Sequence, residues 1–200
     1  MTNVIFRKAV RRLKRMLFTT PMLRIRILKY GFLSDLTRVE GRPVRHTPVL
    51  LESAGTIIFG QNVHLGVVSS PYAFTGYSYI SARAAGASIV MGDDVYLNNH
   101  AVLISEGEGI EIGSRTLIGF NFCAVDSDFH DLNPHRRLTG IPKTKKIEIG
   151  RNVFIGSNVT VLKGAVIGDN SVIGAGSVVS GTIPPDVIAA GNPCRVIRGV

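Results

Sequence analysis

Hydrophobic positions in the C-terminal half of the chain recur every six residues. IGRNVF begins at 149, IGSNVT at 155, VLKGAV at 161, IGDNSV at 167, IGAGSV at 173 and VSGTIP at 179. Each hexad opens with Ile or Val, usually followed by Gly. Its fifth position holds a small or β-branched residue: Val153, Val159, Ala165, Ser171 or Ser177. An amphipathic helix would repeat apolar residues at i, i+3, i+4 and i+7 instead. A six-residue period makes one flat strand and one turn, so three hexads close a triangular coil. The pattern predicts an all-β protein, a parallel β-helix with the opening aliphatics inward and Gly or Asn at the corners.

The same phase recurs upstream in MGDDVY at 91, LNNHAV at 97, IGSRTL at 112 and IGFNFC at 118, and more faintly in FGQNVH at 59 and LGVVSS at 65. The coil body is therefore expected over residues 49–200, preceded by a basic, helical or irregular segment over 1–48. Solenoids accept insertions only as loops leaving a corner. A three-residue excess between Met91 and Ile112 places a small excursion at Glu106-Gly107-Glu108-Gly109. Residues 130–148, with no hexads, two prolines and a cluster of bases, read as an extruded loop. Long loops without secondary structure are uncommon in compact domains and are often functional.

Charge narrows the partners. The chain of 200 residues has a net charge of +9, and nine cations without an acid fall in residues 1–30. The remaining 14 basic and 14 acidic side chains balance, so the body offers no basic face to nucleic acid. Two isolated cysteines, Cys123 and Cys194, form no CxxC pair and fit a reducing compartment. A cytoplasmic protein is expected, with residues 4–18 (VIFRKAVRRLKRMLF) as a short amphipathic basic helix. That helix would either lie peripherally on the anionic inner face of a membrane or pack on the coils.

The run IGDNSVIGAGSVVSGTIPPDVIAAGNPCRVIR resembles the close of the hexapeptide-repeat O-acetyltransferases, near the galactoside, maltose and nodulation-type sugar acetyltransferases. The likeness covers about residues 50–200. It implies a left-handed coil, against the usual right-handed crossover, and a homotrimer with each active site built from two chains. It also implies transfer of acetyl from acetyl-CoA to a hydroxyl of a sugar or glycan in surface-polysaccharide synthesis, with no metal.

His130, in DSDFHDLNPH, matches the family's general base, a task suited to an imidazole that ordinarily titrates near roughly pH 6.5. Asp126 and Asp128 precede it by four and two residues. In an extended chain all three would share one side, where either carboxylate could orient the ring. Asn98, in YLNNHAV beside Asn99, resembles the asparagine that binds the acceptor or supports the tetrahedral intermediate. Glu106 or Glu108 could meet a sugar hydroxyl. By the same resemblance Ser157, Ala175 and Ser180 line the pantetheine arm through their backbones, with the Ser157 amide an oxyanion donor. Arg195 and Arg198 match the cations that meet the nucleotide phosphates. Gly181 stands where the family commonly has lysine, and Phe154 where an aromatic lines the acetyl channel. The alternatives are a transferase for serine or an antibiotic, a silent scaffold, or a zinc trimer using His100, His130 and His135, whose last two form an H-x4-H pair.

Overall fold

A computed structural model describes Phe6, Arg7, Val10, Leu17 and residues 19–200. The amphipathic helix expected over 4–18 thus falls almost wholly outside the described residues. The rest is a stack of coils, each contributing one short strand to each of three parallel sheets. The first sheet runs Val39–Glu40, Thr56–Phe59, Ser88–Met91, Ile110–Ile112, Ile147–Ile149, Val166–Ile167 and Thr182–Ile183. The second begins at Val44–Arg45 and His64–Leu65 and passes through Tyr96–Leu97, Leu117–Ile118, Phe154–Ile155 and Val172–Ile173. The third climbs from Val49–Ser53 through Ser78–Ala82, Val102–Ser105 and Cys123–Val125 to Thr160–Leu162 and Val178–Val179. Parallel ladders therefore begin at Val39, upstream of the expected Val49, because Val39 pairs with Ile57 and Val44 with His64.

The hexad sets what is buried. The openers Ile149, Ile155, Val161, Ile167, Ile173 and Val179 are each no more than 3% exposed. The fifth-position residues Val153, Val159, Ala165, Ser171 and Ser177 are buried with them. The two serines stay satisfied: Ser171 Oγ donates to the Pro184 carbonyl at 2.8 Å and Ser177 Oγ to that of Gly174 at 2.6 Å. At one corner Asp94, Arg115, Asn152, Asn170 and Asp186 all take positive φ. Asparagine suits this position because its amide also bonds the next coil, as Asn152 Nδ2 to Asn170 Oδ1 and Asn170 Nδ2 to Asp186 Oδ1. The C-terminal strand Arg195–Gly199 turns back antiparallel on Val187–Ala190 and ends the stack.

Helix α1, Thr20–Leu33, covers the N-terminal coils and is the element the sequence pattern leaves unassigned. Pro21 opens it. Ser34 ends it, its hydroxyl donating to the Tyr30 carbonyl at 2.7 Å and accepting from the Leu51 amide at 3.0 Å.

A histidine pair lies on the outer face of the second sheet. Asn62 Nδ2 donates to Asp94, so its Oδ1 accepts from His64 Nε2 at 2.8 Å, which leaves His64 Nδ1 to accept from His46 Nε2 at 2.9 Å. Burial first, and the facing His64 second, push the His46 imidazole below its ordinary value. The folded chain then holds that proton less readily than the unfolded one. This contribution to stability is present above the ordinary histidine pKa of roughly 6.5 and fades as pH falls through the lowered folded value. We expect Tm to fall on acidification from about pH 7.5 to about pH 5, and His46→Gln to flatten that fall. The same slope in the variant would exclude the pair as its source.

Candidate active site

A groove of about 210 Å³ opens where the second sheet turns toward the third, lined by Val67, Tyr96, Asn98, Leu117, Ile118, Gly119 and Phe154. Two sequence candidates, Asn98 and Phe154, meet here. Tyr96, Leu117 and Phe154 pair in register, so their side chains form an outward column, each 41–53% exposed. Asn98 Oδ1 accepts from the Asn99 amide at 2.7 Å, which fixes the side chain, and its Nδ2 has no acceptor among the described residues. Gly119 is required at this corner, since a Cβ there would sit 2.6 Å from the Ser157 nitrogen of the next coil.

The same corner continues upward through Ser157 and Ala175. Neither amide has a hydrogen-bond acceptor among the described residues, whereas the flanking Gly156 and Gly174 amides bond Ile173 and Ala189. A short row of N–H groups is therefore left unpaired, as a ligand rich in carbonyls would require. Ser180 is exposed, at the end of Val178–Val179. Arg195 and Arg198 are exposed on the last strand, and among the described residues their guanidiniums bond only the carbonyls of Cys194 and Gly199. With no carboxylate of the described residues on either, both can receive phosphate.

One border of the groove is built by a segment that the hexad pattern does not predict. Between His64–Leu65 and Ser78–Ala82 the chain leaves the corner in a third excursion, and buried Asn99 holds it. Asn99 Oδ1 accepts from Thr47 Oγ1 and the Val67 amide, and its Nδ2 donates to the carbonyls of Val67 and Pro71. Asn99 is thus a framework residue that places Val67 beside Asn98. The faint phase of LGVVSS was the signal for this excursion.

His130 belongs to a different corner. The extruded loop leaves the third sheet after Val125 and rejoins the first at Ile147, so the final residues of the expected span 130–148 are already strand. Its neck is closed by the Ser127–Thr144 bridge and by paired backbone bonds from Asp128 to Lys143 and Lys145 to Asp126. His130 is exposed, and its Nδ1 lies 3.2 Å from the Arg137 carbonyl. A carbonyl can only accept, so Nδ1 carries the proton and Nε2 presents a lone pair to solvent.

The three residues expected on one side of an extended chain are separated. Phe129 takes φ +59, which breaks the alternation between Asp128 and His130. Asp126 is fully buried and accepts from Ser105 Oγ and the amides of Glu106, Gly107 and Gly109, building the small turn expected at 106–109. Asp128 pairs with Lys163 at 3.3 Å. Neither carboxylate is hydrogen-bonded to His130, whose ring is oriented by a backbone carbonyl instead. Glu106 accepts from Ser127 and faces Arg83, and Glu108 accepts from the Lys146 amide. The three histidines of the zinc alternative are apart in their contacts: His100 bonds Asn121 and stacks on Tyr72, His130 bonds Arg137, and His135 is exposed on the 3-10 turn Pro134–Arg136. No group of three metal-ligating side chains occurs among the described residues.

Comparison with known proteins bears on this geometry. Residues 146–181 match the bacterial transferase hexapeptide family, described as six repeats. The chain is 38% identical over 119 residues to galactoside O-acetyltransferase of Lactococcus lactis, a match covering 60% of this chain and 56% of that protein. It therefore spans less than two thirds of this curated relative's length. An N-acyltransferase from Bacillus cereus, crystallised with dTDP and coenzyme A, superposes with a TM-score of 0.65 at 18% identity, covering 86% of this chain and 87% of that one. The polySia-specific acetyltransferase superposes with a TM-score of 0.56 at 22% identity, over 81% and 82%. The fold is thus that of the hexapeptide-repeat β-helix proteins.

Proposed function

We propose that the protein transfers an acetyl group from acetyl-CoA to a sugar hydroxyl, on a precursor of a surface polysaccharide. The carrying observation is the groove that gathers Asn98 and Phe154 beneath the unpaired Ser157 and Ala175 amides. The relative's galactoside acceptor supports the sugar. Acetyl-CoA supplies the activated thioester. The Ser157 and Ala175 amides bind the carbonyls of its pantetheine arm, Ser180 flanks that path, and Arg195 and Arg198 take its phosphates.

His130 Nε2 accepts the proton of the acceptor hydroxyl as that oxygen attacks the thioester carbonyl, while the Nδ1–H bond to Arg137 holds the ring and its tautomer. Asn98 positions the acceptor, and the Ser157 amide stabilises the oxyanion of the tetrahedral intermediate. On collapse the C–S bond breaks and the imidazolium passes that proton to the departing thiolate; because the acceptor oxygen attacks the thioester directly, no acyl-enzyme forms. His130 and Asn98 occupy successive corners of the coil, which is why we assign the complete site to two chains of a homotrimer, the loop of one over the groove of the next. Light scattering should give three chains per particle; a monomer at micromolar concentration would remove half the site.

We place the protein in the cytoplasm, peripheral at the membrane through residues 4–18. No helix among the described residues is long and apolar enough to cross a bilayer. The test of the reaction is coenzyme A release over a panel of sugar, amino-acid and antibiotic acceptors. Release confined to amino acids or antibiotics would replace the sugar, and release with none would favour a scaffold. Arg195→Ala and Arg198→Ala should each raise KM for acetyl-CoA about tenfold with kcat little changed, as loss of a charge-assisted phosphate contact does. An unmoved KM in both would displace the phosphates from this strand.

A further inference from the structure

Helix α1 is apolar on two opposite faces. One is docked on the coil stack: Leu23 is buried, Arg26 donates to the carbonyls of Ala73 and Gly76 at 3.3 and 2.7 Å, and Tyr30 stacks on Tyr77 at 4.7 Å. The opposite face presents Ile25, Leu28 and Phe32, spaced as one helical stripe and 66, 73 and 91% exposed, with Met22 on its flank at 45%. A water-facing helix carries polar groups on this side. A contiguous apolar surface of this kind marks a contact.

We propose that this outer face of α1 seats in the headgroup region of an anionic lipid bilayer, with the helix axis in the membrane plane. Charge selects the partner. Arg24 and Lys29 are exposed beside the stripe, and they belong to the nine cations that precede the first acid, Asp35. A second copy of the chain would bring like charges together at this surface, whereas an anionic bilayer neutralises them while covering the apolar side chains. Fourteen residues of helix reach about 21 Å, short of the roughly 30 Å of a hydrocarbon core, so α1 lies on the bilayer and does not span it. Because Arg26 and Tyr30 fix α1 to the coils, lipid contact there turns the N-terminal end of the stack toward the membrane. This inference stands apart from the acetyl-transfer reading and uses an element distinct from residues 4–18.

The chain has no tryptophan, so Phe32→Trp supplies a single reporter on the full-length protein. Its emission should shift to the blue on addition of phosphatidylglycerol vesicles, be quenched by brominated acyl chains, and respond far less to phosphatidylcholine. The double variant Ile25→Ser, Phe32→Ser should bind phosphatidylglycerol vesicles at least about tenfold more weakly, with Tm and oligomeric state unchanged. Emission already blue without vesicles and unmoved by them would overturn the proposal in favour of a face covered by protein. So would a double variant that changes oligomeric state, or one that binds vesicles as tightly as the unaltered chain.

Discussion

His130→Ala should lower kcat by at least about 10²-fold while leaving acetyl-CoA binding nearly intact, because general-base loss removes a proton acceptor and no part of the coenzyme groove. The side chain is exposed and its ring makes one hydrogen bond, to the Arg137 carbonyl. Its truncation should therefore leave Tm close to that of the unaltered protein. His130→Gln tests the same point from the other side, since it keeps a polar side chain without a base and should remain as slow as the alanine variant. The pairing of a large kcat loss with unchanged Tm and unchanged binding separates chemistry from folding. Unaltered turnover in either variant would sink the assignment.

The second large effect concerns stability. Asp126→Ala should destabilise the protein by at least about 3 kcal/mol, because the fully buried carboxylate accepts from three backbone amides and one hydroxyl, and its removal leaves them without acceptors. For a chain of this length that corresponds to a drop in Tm of roughly 6–12 °C. The turn that the Asp126 carboxylate holds also supports the neck of the His130 loop, where Glu106 accepts from Ser127 and Glu108 from the Lys146 amide, so turnover should fall together with Tm. A variant as stable as the parent would show that the turn at 106–109 holds itself.

Asp126, Asp128 and His130 mark where local pattern stops being informative. The hexads were legible because every coil repeats one burial rule, from Ile149 to Val179, and the extruded loop was legible because that rule lapses there. Alternation along an extended chain wrongly gathered Asp126, Asp128 and His130, since one residue with positive φ, Phe129, redirects everything after it. Helix α1 escaped notice for a different reason. Its apolar residues Met22, Leu23, Ile25, Ile27, Leu28 and Phe32 occupy opposite faces, so no helical period stands out. The excursion between Leu65 and Ser78 was hidden likewise, because it is secured from a distance by Asn99, 32 residues beyond Val67. The groove candidates came from resemblance to a family, and the register of the second sheet is what places Asn98 and Phe154 in one groove.

The most direct measurement is product analysis: acetyl-CoA labelled in its acetyl group, incubated with the protein and a galactoside or glycan acceptor, with the product examined by mass spectrometry and NMR. The expected product is a sugar carrying one labelled acetyl ester on a hydroxyl, formed with one coenzyme A released per ester and nearly absent with His130→Ala. Label recovered only as free acetate, or an ester formed equally well without His130, would contradict it.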